Sequence, residues 1–219
     1  MQDLSFSDRE QAKLDYYSNM MNLKQQQKEY KDAIRFAKNH IEQTKILNGR
    51  NCDLQYLSYS NLCKLYALNN DSTEAFACLD SLERGVGHSY QDKEVIANFY
   101  NIKGCCYADF KKYEKAIEYF NKAYNSLDGK MIEDSPSKFT SLLNKAEVYF
   151  VQKRYNDAFA TYSRYVKACK NKYGETSGTY YQTLFTLANI EGARGNITEA
   201  DRLFRISMNY LIGNLKQLW

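Results

Sequence analysis

Proline is almost missing from this chain of 219 residues: there is one, Pro136, and the ten glycines are scattered. Helices therefore meet few obstacles, and no proline-rich or glycine-rich linker divides the sequence, which predicts one domain, residues 1–219. Long apolar runs are missing too. No stretch approaches the roughly 18 residues of a membrane span, and the N-terminal "MQDLSFSDREQ" is polar and acidic where a signal peptide is basic and then apolar, so the chain reads as cytoplasmic. Charge of one sign is not in excess. The 30 basic and 26 acidic residues are mixed along the sequence, net +4, without the basic block that would bind nucleic acid or an acidic membrane.

Histidine is scarce, and this bears on chemistry. Only His40 and His88 could accompany the six cysteines, Cys52, Cys63, Cys78, Cys105, Cys106 and Cys169, which contain no C-x-x-C pair. A metal site or disulfide framework is therefore not expected, and the thiols read as reduced and mostly buried, in keeping with an intracellular protein. Cys105 and Cys106 are neighbours on a helix and point to different sides, which excludes a redox pair. No G-x-S-x-G turn, G-x-x-x-x-G-K-[ST] loop or G-x-G-x-x-G turn occurs, and no histidine is placed to activate a nucleophile. The expectation is a protein without catalytic activity, metal or cofactor.

What the sequence does have is a repeat. "YEKAIEYFNKA" at 113–123 returns as "YNDAFATYSRY", "ITEADRLFRIS", "STEAFACLDSL" and "YKDAIRFAKNH". Its alanines are Ala33, Ala75, Ala116, Ala158 and Ala200, at spacings of 42, 41, 42 and 42. A fixed period of this size marks a stacked array. Upstream of each alanine lies another set with helical spacing: Tyr59, Cys63 and Tyr66; Tyr100, Gly104 and Tyr107; Leu142, Ala146 and Tyr149. Short polar breaks at 69–72, 110–112, 152–154 and 194–196 separate the halves, with Asp71 and Asn196 as candidate N-caps. Each unit therefore reads as a helical hairpin, its helices brought close by a small side chain on each, and each hairpin needs a neighbour to cover its apolar flank. The units fall at about 8–48, 52–85, 90–128, 136–172 and 177–215.

The pattern resembles the tetratricopeptide repeat (TPR), most closely in "YNIKGCCYADFKKYEKAIEYFNKA" at 100–123. The departures are Lys103 and Lys145 in place of the family's leucine, Met21 where a small residue is usual, and Lys24 and Glu191 in place of its tyrosine. The period exceeds the family's usual length of about 34 residues. The long form is similar to the repeats of kinesin light chains and of bacterial multi-repeat signalling proteins. The resemblance implies an all-α, right-handed superhelical array of about five antiparallel hairpins, a TPR-like α-solenoid.

It also implies a place for a partner: the concave groove lined by the first helix of each hairpin. Projecting the family's groove positions gives Asp15, Ser18 and Asn22; Leu57, Ser60 and Lys64; Asn98, Asn101 and Asp109; Thr140, Leu143 and Glu147; and Gln182, Phe185 and Asn189. The favoured set is Asn22, Lys64, Asn98, Asn101, Asp109, Glu147, Gln182, Phe185 and Asn189. Their amides could pair with the backbone of an extended peptide. Asn22 and Lys64 fall on suitable helices for the carboxylate clamp of some family members, but its other basic positions are not filled, so no such clamp is expected. Many of the 20 tyrosines take packing positions, which argues against stacking platforms for single-stranded nucleic acid. Others, including Tyr180 and Tyr181, are left for contact with a protein. Two functions fit: a scaffold that binds a protein or peptide, and a regulatory or sensor segment of a longer signalling protein, since the helical pattern still holds at "LIGNLKQLW".

Overall fold

A computed structural model describes residues 5–49, 53–89 and 92–216. Cys52 and the side chains of Leu57 and His88 lie outside the described residues. Ten helices and no strand occur among the described residues. In order they are α1 (Phe6–Gln26), α2 (Tyr30–Asn48), α3 (Asp53–Leu68), α4 (Ser72–Ser89), α5 (Lys93–Asp109), α6 (Tyr113–Ser126), α7 (Pro136–Val151), α8 (Tyr155–Tyr173), α9 (Gly178–Ala193) and α10 (Ile197–Lys216).

Four of the odd-numbered helices, α1, α5, α7 and α9, begin on side-chain caps. Ser5 Oγ accepts from the Asp8 N–H, Asp92 Oδ1 from Glu94, Ser135 Oγ from Lys138 and Ser177 Oγ from Tyr180. The lone proline stands at the start of α7, where its fixed φ suits a helix and its missing N–H would have had no partner.

The even-numbered helices begin in another way. Three residues join each odd helix to the next, and the middle one is left-handed: Lys28, Asn70, Lys111, Lys153 and Gly195, with φ between 58° and 89°. The N–H of the next residue reaches back to the fifth carbonyl before it, as Glu29 to Lys24, Asp71 to Tyr66, Lys112 to Tyr107, Arg154 to Tyr149 and Asn196 to Glu191. This is a Schellman closure, which satisfies the last carbonyls of one helix while aiming the chain into the next. Asp71 and Asn196 do stand at the helix starts, their carbonyls accepting from Ala75 and Ala200. Asp71 also accepts from the Asn69 amide at 2.5 Å, and the Asn196 amide donates to Glu191 at 2.7 Å.

The described residues group into two compact units, Met1–Lys112 and Tyr113–Trp219. In the first, α1 packs on α2, α2 on α3, α3 on α4, and α5 on both α3 and α4. Its core joins Met21, Ala33, Ala37, Cys63, Leu65, Ala75, Leu79, Phe99 and Cys106. In the second, each helix from α6 to α10 packs on its successor, and Ala146, Ala158, Tyr162, Leu184, Ala188 and Leu203 share a core. The repeated alanines are all buried. So are the residues at the small-side-chain position, Met21, Cys63, Gly104, Ala146 and Ala188. At the first of these contacts in α3, the Cys63 thiol lies 3.8 Å from the Ala75 carbonyl of α4.

Candidate functional site

The projected groove residues divide between the two units. In the first, Asn22, Lys64, Asn98 and Asp109 are exposed on α1, α3 and α5. Asn101 is not: it is 2% exposed, one turn after Asn98 on the side of α5 that packs. An asparagine reads as surface in a sequence, yet here it belongs to the interior.

In the second unit all six projected residues are exposed: Thr140, Leu143 and Glu147 on α7 and Gln182, Phe185 and Asn189 on α9. Gln182, Phe185 and Asn189 are spaced by three and four and share a face. Glu147 and Asn189 meet across a pocket of about 480 Å³ between α7, α8 and α9, whose other lining residues are Leu143, Ala146, Phe150, Tyr162, Thr186 and Ile190. The volume falls within the range of about 300–1,000 Å³ usual for ligand pockets. Two of its large apolar residues face solvent, Leu143 at 37% and Phe150 at 36% exposure.

Tyr162 forms the buried floor; burial pushes its phenol up to about 12, so the hydroxyl stays neutral. Glu147 is the single charged lining residue. Phe185 stands at the edge of this face, set against Phe204 in a T-shaped contact at 5.2 Å. The Asn189 amide donates to the Phe185 carbonyl at 3.2 Å, leaving its oxygen and second hydrogen for other partners.

Phe150 was not among the projected residues, although Leu143, Glu147 and Phe150 are spaced by four and three along α7 and periodicity alone places them together. Thr186 likewise lies four residues after Gln182 and three before Asn189, whereas the pocket-facing side of Tyr162 carried no such signal. Tyr180 and Tyr181 are half-buried rather than free for a partner: Tyr181 stacks on Tyr210 at 4.0 Å, and Ser207 Oγ donates to the Tyr181 carbonyl at 3.0 Å.

Among the five described cysteines, Cys63, Cys106 and Cys169 are buried, and Cys78 and Cys105 half-buried; all are free thiols. The Cys106 and Cys78 thiols beside Cys63, together with burial, push its pKa up, which keeps it protonated and a poor nucleophile. Among the described residues no three His, Cys, Asp or Glu side chains are grouped to hold a metal ion. No described helix is long and apolar enough to cross a membrane.

No protein-family model matches the chain, and no curated protein matches it. Solved structures do. A protein of Podosopora anserina described as a kinesin light chain with nearly identical TPR-like repeats superposes with a TM-score of 0.68, at 14% identity, over 96% of this chain and 99% of that one. The fold is that of TPR-like repeats. BtubC from P. vanneervenii matches at a TM-score of 0.65 and 18% identity, over 90% of this chain and 79% of its own. Aspartyl phosphate phosphatase F from Bacillus subtilis matches at 0.69 and 17%, over 92% of this chain; the chain spans about half of that protein, 51%.

Proposed function

We propose that this chain is a non-catalytic, cytoplasmic scaffold that binds a protein or peptide on the exposed faces of its first helices. The observation that carries the reading is the α7–α9 pocket, where Leu143 and Phe150 face water around a cavity edged by Glu147 and Asn189. Exposed apolar side chains around a concavity, rimmed by polar ones, suit an apolar side chain of a partner. The Asn189 amide can hold the partner's backbone, and Glu147 favours a lysine or arginine beside the inserted residue.

A peptide library panned on the full chain tests this. Enriched sequences should share an apolar residue next to a basic one. Glu147→Lys should reverse the charge preference, and Leu143→Asp should weaken binding at least 10-fold with the melting temperature nearly unchanged. Enrichment that is indifferent to both substitutions would remove the pocket from the function.

A second reading, a regulatory or sensor segment of a larger signalling protein, is favoured by α10. Its Met208, Leu211 and Ile212 are 56%, 54% and 44% exposed, an apolar surface that a solvated helix does not need. If further chain covers this face in the natural protein, peroxide oxidation of Met208 should slow when the segments encoded beside this one are co-expressed with it; an unchanged rate counts against the reading.

A further inference from the structure

Lys103 and Lys145 both replace the leucine of the repeat pattern, and the fold accommodates them differently. Lys103 is buried and paired, its Nζ 2.7 Å from Glu83. Lys145, half-buried on α7, has no carboxylate partner among the described residues: its Nζ donates to Asn121 Oδ1 at 2.7 Å and lies 5.8 Å from the Tyr149 ring.

Lys145 faces a second cavity, of about 240 Å³, between α6, α7 and α8. Arg164 of α8 lines the same cavity, its Nη2 donating to Tyr124 Oη at 2.8 Å and its guanidinium 5.0 Å from the Tyr124 ring. Asn125 and Ser141 add polar groups to the wall, and no carboxylate lines it. Lys138 brings a third cation to the Tyr124 ring at 4.8 Å, though its Nζ donates to the Lys130 carbonyl.

Burial first, and then repulsion from Arg164, hold the Lys145 ammonium below the ordinary lysine value; Asp157 acts the other way. The Asp157 carboxylate is itself bound by Arg154 at 2.8 Å. Two cations from different helices, half-buried Lys145 and exposed Arg164, thus border one cavity whose other lining groups are neutral. An anion placed between them would relieve their repulsion.

We propose that this cavity binds a phosphate group, anchored by Lys145 and Arg164 and supported by the side-chain amides of Asn121 and Asn125. Two positive charges match a dianion better than a single carboxylate, and arginine and lysine are the usual side chains for phosphate oxygens. The site is distinct from the groove. Lys145 lies two residues from both Leu143 and Glu147, on the other side of α7, and the proposal does not depend on the partner reading above.

Titration calorimetry on the full chain tests it, with inorganic phosphate and O-phosphoserine as separate probes at fixed ionic strength. Saturable one-to-one binding is expected. It should fall at least 10-fold in Lys145→Leu, which restores the repeat's own residue, and in Arg164→Gln, while the exposed control Lys31→Gln leaves it unchanged. Tighter binding of phosphoserine assigns the phosphate to a modified side chain; tighter binding of inorganic phosphate assigns it to the free ion. If Lys145→Leu does not fold, Arg164→Gln decides alone. Absence of saturable binding by both probes, or full binding retained in a folded variant, overturns the proposal.

Discussion

At the scale of single residues, the period is written in what is small and buried. Ala116 has no exposed surface, and the equivalent alanines in the other copies are also buried, because a larger side chain there would push two helices apart. Ala116→Leu should therefore destabilise by about 1–3 kcal/mol in denaturant titration, the usual cost of overfilling a packed contact. His40 makes a different prediction. It is half-buried, 3.0 Å from Ser58 Oγ, and burial lowers its pKa although Asp15 pulls the other way. A base whose folded pKa lies below its unfolded value of about 6.5 keeps its full stability above that pH and loses stability as the pH falls through it, because the unfolded chain takes up the proton more readily. Melting temperature should thus fall between pH 7.5 and 5.5, and His40→Gln should reduce that fall. Polarity alone is a poorer guide at this scale: Asn98 and Asn101 look alike in the sequence, and only the packing of α5 makes one a surface group and the other interior.

At the scale of elements, the polar breaks between the paired helices were legible, but the device that closes them was not. Left-handed residues are usually glycine, and only Gly195 follows that custom; Lys28, Asn70, Lys111 and Lys153 take the same conformation without a glycine's freedom. Lysine there costs roughly 1 kcal/mol or more against glycine, so Lys153→Gly should raise stability toward that amount, and Gly195→Ala should lower it by a similar one. Equal melting temperatures for both variants and the parent would show that the turn is not under strain. The ends of the array were legible as departures whose reason only the structure gives. Glu191, buried where the pattern has tyrosine, accepts from Arg194 at 2.8 Å and Asn196 at 2.7 Å, and Lys24 at the matching place pairs with Glu29 at 2.7 Å. A polar clasp across the turn thus replaces an aromatic ring in the first and last copies. The anion cavity shows the limit of the sequence in another way: Lys145 stood out as an exception, yet Arg164, Asn121 and Tyr124 join it only once α6, α7 and α8 are packed.

At the scale of the whole molecule, the consequence of repetition is that stability is local. Within the second unit the helix contacts run from each helix to its successor, α6 through to α10, so support passes along the row step by step. Leu203 of α10 is buried in the core with Leu184 and Ala188 of α9. Leu203→Ala removes most of a leucine side chain, at a cost of about 2–5 kcal/mol. In a domain with one indivisible core that loss would lower amide protection everywhere by the same factor. Where each helix leans chiefly on its neighbours, the loss should concentrate in α9 and α10 and leave α6 and α7 close to their original protection. Hydrogen exchange read helix by helix separates the two cases, and a uniform loss from α6 to α10 would show that the second unit unfolds as a single cooperative body.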